Sequence, residues 1–207
     1  MKSVVVTGGT RRLGKYIADR LRADGWRVLT TSSRADSGAD IVVDLAEPMG
    51  AAKLYAAALK ILNGVPPDAL VNNAALFVGD EDRLRYLNYE SPKKLTILMA
   101  GRECGRGTVV NILDAKVLSK GFTVRPTSRA YDESKLKLYA WTLQASEMFA
   151  DTLDVDFVAP GETLPPEGFH LKAETPPSLR PTPESIAAEV SKRLIRPRSS
   201  AIAQNMV

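Results

Sequence analysis

The stretch "SVVVTGGTRRLGKYIA", Ser3 to Ala18, decides the fold. A run of β-branched apolar residues, suited to a strand buried on both faces, passes directly into a glycine-rich turn and then a helix. A helix entered from such a turn presents free N–H groups and the positive end of its dipole, which attract a pyrophosphate. Gly8 and Gly9 permit the tight turn and close backbone approach, and Gly14 lets the helix pack near the sheet. The plainer alternative is a strand-to-helix turn with no ligand.

Outward from this turn, short apolar runs alternate with stretches of helical period. The runs are Arg27 to Thr31, Ile41 to Leu45, Ala69 to Asn73, Thr108 to Leu113 and Val155 to Pro160. The helical stretches are Leu13 to Asp24, Met49 to Leu62, Arg83 to Ala100 and Tyr131 to Ala150, the last with Leu138, Trp141, Ala145 and Met148 on one stripe. Right-handed crossovers then predict an α/β fold, a doubly wound parallel sheet of Rossmann type, as a single domain over residues 1–207. Seven of the 13 prolines fall between Pro160 and Pro183, which predicts a substrate loop at about 162–182 in place of an element. Thr182 and Pro183 have the form of an N-cap and first-turn proline opening a last helix.

Composition narrows the function. With one cysteine, Cys104, and one histidine, His170, the chain has no internal disulfide and no metal-ligand cluster, so no metal is expected. No apolar run is long enough to span a membrane, and the apolar part of the N-terminus is too short for a secretory signal, so a cytoplasmic protein is expected. A net charge of +4 suits an anionic ligand and is too small to argue for nucleic acid. Trp26 and Trp141 read as packing residues, Phe169 and His170 as loop residues, and Cys104 gives little reason for a redox role.

The dinucleotide is partly legible. An NAD site carries an acid at the end of strand two to bind the ribose hydroxyls. Here that end reads "TTSSRAD", with Ser32, Ser33 and Arg34 where the acid would stand and Arg11 and Arg12 inside the turn. Cations and hydroxyls converging there favour a 2'-phosphate, hence NADPH; the alternative for Arg11 and Arg34 is a solvated surface charge.

Taken together, the motifs resemble the short-chain dehydrogenase/reductase family over nearly the whole chain. "TGGTRRLG", Thr7 to Gly14 with Leu13, resembles its nucleotide turn. Asp44 and Leu45 resemble its adenine contact, "NNAA" with Asn73 and Ala74 the motif after strand four, and Asn88 its helical asparagine. "YDESK" supplies the Tyr-x-x-x-Lys pair, Tyr131 and Lys135, and "APGET" the turn of Pro160 and Gly161 with Thr163 near the nicotinamide. Three details resemble the pteridine reductase and dihydromonapterin reductase branch: Arg12 in place of the middle glycine, Asp114 in place of the catalytic serine, and Phe77 where a pterin ring would stack.

The resemblance implies a reductase transferring hydride from NADPH to a dihydropterin or dihydrofolate-like C=N bond, in a homo-oligomer, dimer or tetramer. The i, i+4 spacing puts Tyr131 and Lys135 on one helix face, where an ammonium would favour phenolate and make Tyr131 a proton donor. The resemblance further implies that Lys135 binds the nicotinamide ribose and that Asn88 holds a water linking the lysine to solvent. A carboxyl at Asp114 suits proton exchange with Tyr131 or a ring nitrogen, its alternative being a cap on the following turn. Phe77 is either a substrate platform or a core aromatic.

Two other functions use much the same residues: a carbonyl reductase acting on a ketone or acyl thioester, and an NADP(H)-binding sensor without turnover. Three departures from the family pattern stand out. Ala75 replaces a serine, the Asp114-to-Tyr131 interval is long and basic, and the ending "AIAQNMV" predicts an altered last strand that puts tetrameric packing in doubt.

Overall fold

A computed structural model describes residues 1–103, 105–161 and 180–195. Cys104, Thr163, Phe169, His170, most of the proline-rich loop and the C-terminal end from Arg196 lie outside the described residues.

Six parallel strands form one sheet: β1 (Ser3–Val6), β2 (Arg27–Ser32), β3 (Ile41–Val42), β4 (Ala69–Asn72), β5 (Gly107–Ile112) and β6 (Leu153–Val158), in the order β3-β2-β1-β4-β5-β6. The chain runs outward from β1 to β3, then restarts on the other side of β1 with β4. The order therefore reverses between β1 and β4, where a crevice opens beyond the strand ends.

Alternate strand residues face opposite layers, and both layers are covered. Val5, Leu70 and Val109 pack under α2 (Gly50–Ile61), α4 (Ser91–Ala100) and α5 (Arg129–Met148). Val4, Val6, Val71 and Val110 pack under α1 (Arg12–Ala23) and α6 (Pro183–Ile195). In α1 the buried set Gly14, Ile17, Ala18 and Leu21 is one stripe at helical spacing. Burying side chains such as Ile17 and Leu21 contributes roughly 1.5–3 kcal/mol each.

Local departures from the pattern have physical reasons. The third strand keeps two residues, because Asp44 turns inward to accept from the Ala46 N–H at 2.9 Å. Met148, at the end of α5, is 57% exposed and leaves the stripe that Leu138, Trp141 and Ala145 bury. The stretch expected as one helix from Arg83 is divided into α3 (Glu81–Arg85), a π-helical turn at Tyr86–Glu90, and α4. Pro92 has no N–H, so the i→i+4 bond to the Asn88 carbonyl cannot form there.

A buried polar file sets the register of α5. The Asn72 amide donates to Asn111 Oδ1 (2.8 Å), the Asn111 amide to Thr142 Oγ1 (2.8 Å), and Thr142 to the Leu138 carbonyl (2.7 Å). This ties α5 to β4 and β5 and brings its first turns, with Tyr131 and Lys135, to the end of β5.

Candidate active site

The turn after β1 is built by contacts that exclude side chains. Gly8 adopts φ +63°, in the left-handed region. A Cβ on Gly14 would lie 2.1 Å from the Gly8 carbonyl oxygen and 2.6 Å from Asn73 Nδ2, and one on Gly9 would lie 2.8 Å from Thr30 Cγ2. Arg12 takes φ +46° where the family pattern has glycine, a conformation costing a non-glycine residue about 1–2 kcal/mol. No side chain caps α1 and its first turn holds no acid, so its N-terminal amides are open to an anion, with Arg11 and Arg12 beside them.

Thr7 and Asn73 join the two strands at the switch point. Thr7 Oγ1 accepts from the Asn73 and Ala74 N–H groups at 2.9 and 3.0 Å, and the Asn73 amide donates to the Thr7 carbonyl at 2.9 Å. Above them lies a cleft of about 280 Å³. It is lined by Gly8, Arg11, Arg12, Leu13 and Gly14 from the turn, Ser32 and Ser33 after β2, Asp44 and Leu45 after β3, and Asn73 and Ala74 after β4.

Arg34 does not line this cleft. Its guanidinium forks onto Asp36, Nε to Oδ1 at 3.0 Å and Nη2 to Oδ2 at 2.7 Å, because the short helical turn Ala35–Ser37 folds the acid back onto it. Besides Arg11 and Arg12, the cleft is reached by Arg83, from α3, which holds Asp44 at 2.6 Å and Glu47 at 3.4 Å. Sequence reasoning missed Arg83. Its one local signal is Asp80, which caps α3 by accepting from the Arg83 N–H and so sets where the helix starts.

The second cluster lies where β5 ends and α5 begins. Tyr131 Oη donates to Asp114 Oδ2 at 3.3 Å, while Asp114 Oδ1 accepts from the Lys116 N–H at 2.9 Å. The carboxylate thus caps the following turn with one oxygen and meets the tyrosine with the other. Lys135 is buried, with Nζ donating to the Ile112 carbonyl at 2.8 Å and standing 5.8 Å from the Tyr131 ring centroid.

Electrostatics here reverse one expectation. The Tyr131 pKa is pushed up, first by burial and then by the Asp114 charge and hydrogen bond. Lys135 does not lower it: burial weakens the lysine itself, bringing its pKa down to about 8 against the pull of Asp114, and its ammonium is aimed at the Ile112 carbonyl. Tyr131 is therefore held as a neutral phenol. Phe77 packs edge-on against it, centroids 4.9 Å apart at 65°, and is 57% exposed, which removes the core-aromatic reading.

No family model matches the chain. Among curated proteins, an uncharacterized oxidoreductase of Methylorubrum extorquens is 26% identical, over 92% of this chain and 89% of its own. Among solved structures, FolM alternative dihydrofolate reductase 1 from Brucella canis, complexed with NADP, superimposes with a TM-score of 0.76 at 28% identity, over 92% of this chain and 86% of that one. A metagenomic short-chain oxidoreductase in complex with NADP gives 0.74 at 25% identity, over 97% and 94%. In fold and sequence the chain resembles oxidoreductases of the short-chain dehydrogenase/reductase type.

The side chain of the asparagine in the π-helical turn is fully engaged. Asn88 accepts from the Leu76 N–H at 2.9 Å and donates to the Leu76 carbonyl at 2.8 Å and to Ser134 Oγ at 3.1 Å. Its amide thus holds the backbone just before Phe77. Pro160 accepts from the Ala115 N–H at 3.0 Å beside the Asp114 turn, and Gly161 is the last residue described there. The described residues hold no group of three or more His, Cys, Asp or Glu placed to bind a metal, and no helix among them is long and apolar enough to cross a membrane.

Proposed function

We propose that this chain is an NADPH-dependent reductase that converts the C=N bond of a dihydropterin, or of a dihydrofolate-like substrate, to the tetrahydro form. The observation that carries the reading is the Asp114–Tyr131 hydrogen bond with Phe77 edge-on beside it. A phenol donates to a carboxylate there, next to an exposed aromatic face suited to a flat heterocycle. The FolM enzymes of Brucella canis and Brucella suis, both 28% identical and both solved with NADP, support the same class.

The cofactor residues follow from the cleft. The open amides of α1 and the glycines at 8, 9 and 14 suit a pyrophosphate, with Thr7 and Leu13 framing the turn. Arg11, Arg12, Ser32 and Ser33 suit a 2'-phosphate, with Arg34 joining once it leaves Asp36. Asp44 and Leu45 would meet the adenine, Asn73 and Ala74 the adjoining ribose, and Lys135, Pro160, Gly161 and Thr163 the nicotinamide end. When bound, NADPH supplies the hydride.

Tyr131 gives its proton to the ring nitrogen as the C=N bond is reduced. Asp114, partly open to solvent, conducts the replacement proton to it. Asn88 fixes the backbone that carries Phe77, and Phe77 orients the ring. The chain works as one dinucleotide-binding domain and, in solution, as a homodimer or tetramer.

A spectrophotometric assay decides the reading: NADPH oxidation at 340 nm with dihydropterins, dihydrofolate and a panel of ketones and acyl thioesters. Turnover of dihydropterins is expected. Turnover of ketones alone would refute it, and tight NADPH binding without turnover of any substrate would leave a sensor.

A further inference from the structure

The long interval between the two proton-handling residues has an architecture of its own. It leaves the sheet at Asp114 and returns at Tyr131, whose hydroxyl meets Asp114, so residues 115–130 form a loop closed at the reaction centre. None of these residues lines the nucleotide cleft. The excursion therefore borders the Asp114–Tyr131 pair and not the nucleotide cleft.

What closes it is an unusual pair. Asp132, one residue after Tyr131, is 1% exposed, a position where an acid is costly unless paired. Its carboxylate takes four donors, all from the excursion: the Arg125 N–H at 3.0 Å, Arg125 Nε at 2.9 Å, Arg125 Nη2 at 2.6 Å and Ser128 Oγ at 3.3 Å. Arg125 is two-thirds covered on its side. Burial pushes the Asp132 carboxyl up and the Arg125 contacts outweigh it, so the acid sits below the usual carboxylate range and stays charged. The excursion's start is held independently, through the Ala115 N–H to the Pro160 carbonyl.

We propose that Arg125 and Asp132 are positioning residues that form a clasp, holding residues 115–130 closed against Tyr131 as a wall of the substrate pocket. This rests on the reductase reading for its substrate but not for its geometry. An acid in the first turn of α5 also favours the helix dipole, and that plainer role makes a different prediction: it needs Asp132 and not Arg125.

The experiment uses the full chain with Arg125→Ala, Arg125→Lys and Asp132→Asn. Three quantities are read: backbone hydrogen exchange over residues 116–124, the NADPH dissociation constant by fluorescence, and KM for a dihydropterin. Arg125→Ala is expected to speed exchange in that segment and raise KM by about tenfold each, the scale of losing a charge-assisted bidentate pair, with NADPH affinity held within about twofold. Arg125→Lys, which restores charge without the fork, recovers part of both; Asp132→Asn resembles Arg125→Ala.

Unchanged exchange in Arg125→Ala, or NADPH affinity falling as far as KM rises, overturns the clasp. Should Arg125→Ala not fold, the Lys variant carries the same comparison. If the unaltered protein turns over no dihydropterin, the reductase reading fails, while exchange and NADPH binding still test the clasp.

Discussion

Lys135 is where stability and chemistry oppose each other most sharply, and replacing it by methionine separates them. An ordinary lysine titrates at 10.5 and this one at about 8, with burial the first cause. The gap corresponds to about 3 kcal/mol against the charged form at neutral pH. Methionine fills a similar volume and removes that cost, but leaves the Ile112 carbonyl without its 2.8 Å donor, at about 1–3 kcal/mol. Lys135→Met is therefore expected to be about 1–2 kcal/mol more stable than the parent at pH 7 while losing reductase activity.

The pH dependence identifies the cause. Between about pH 8 and 10.5 the unfolded chain keeps a proton on this lysine that the folded chain has released, so the parent gains stability as pH rises through that window. Urea titrations at pH 7 and about pH 9.5 should show the advantage of Lys135→Met shrinking by about 2 kcal/mol. Staying below the ordinary tyrosine pKa of 10 keeps Tyr131, whose raised pKa acts in the opposite sense, from contributing. A Lys135→Met protein clearly less stable than the parent at pH 7, or an advantage that does not change with pH, would refute the reasoning.

Other expectations follow from the same geometry. Gly14→Ala should gain about 1 kcal/mol of helix propensity yet lose about 1–3 kcal/mol net, because its Cβ would press on backbone at 2.1 Å; NADPH affinity should fall at least tenfold, read by fluorescence titration against a Lys15→Ala control. Asp114→Asn preserves the cap on Lys116, so its Tm should stay within about 2 °C, while dihydropterin turnover falls by roughly 10²-fold or more; full turnover would remove the carboxylate from the proton path. Asp114→Ser should not improve ketone reduction, and a gain there would favour the carbonyl-reductase alternative. Phe77→Ala, exposed and outside the core, should raise the dihydropterin KM by about tenfold with little change in thermal stability.

The sequence by itself carries the order of elements and the turn. Continuous apolar strands, a glycine turn between strand and helix, and a tyrosine one helical turn before a lysine are local patterns, and local sterics and periodicity suffice to read them. Asp114 shows the limit: its residue type is legible, but that one oxygen caps a turn while the other meets Tyr131 depends on where α5 sits. Burial likewise decides charge. No pattern in "YDESK" says that Lys135 is desolvated, that Tyr131 is kept neutral by its own burial beside Asp114, or that Asp132 is buried and held by Arg125. Arg34 and Arg83 exchange places for the same reason, since a guanidinium binds the carboxylate nearest in space: Asp36 folds back onto Arg34, and Asp44 is brought within reach of Arg83. Tertiary structure decided these points because desolvation and ion pairing are set by three-dimensional neighbours, such as Arg83 and Asp44, 39 positions apart along the chain.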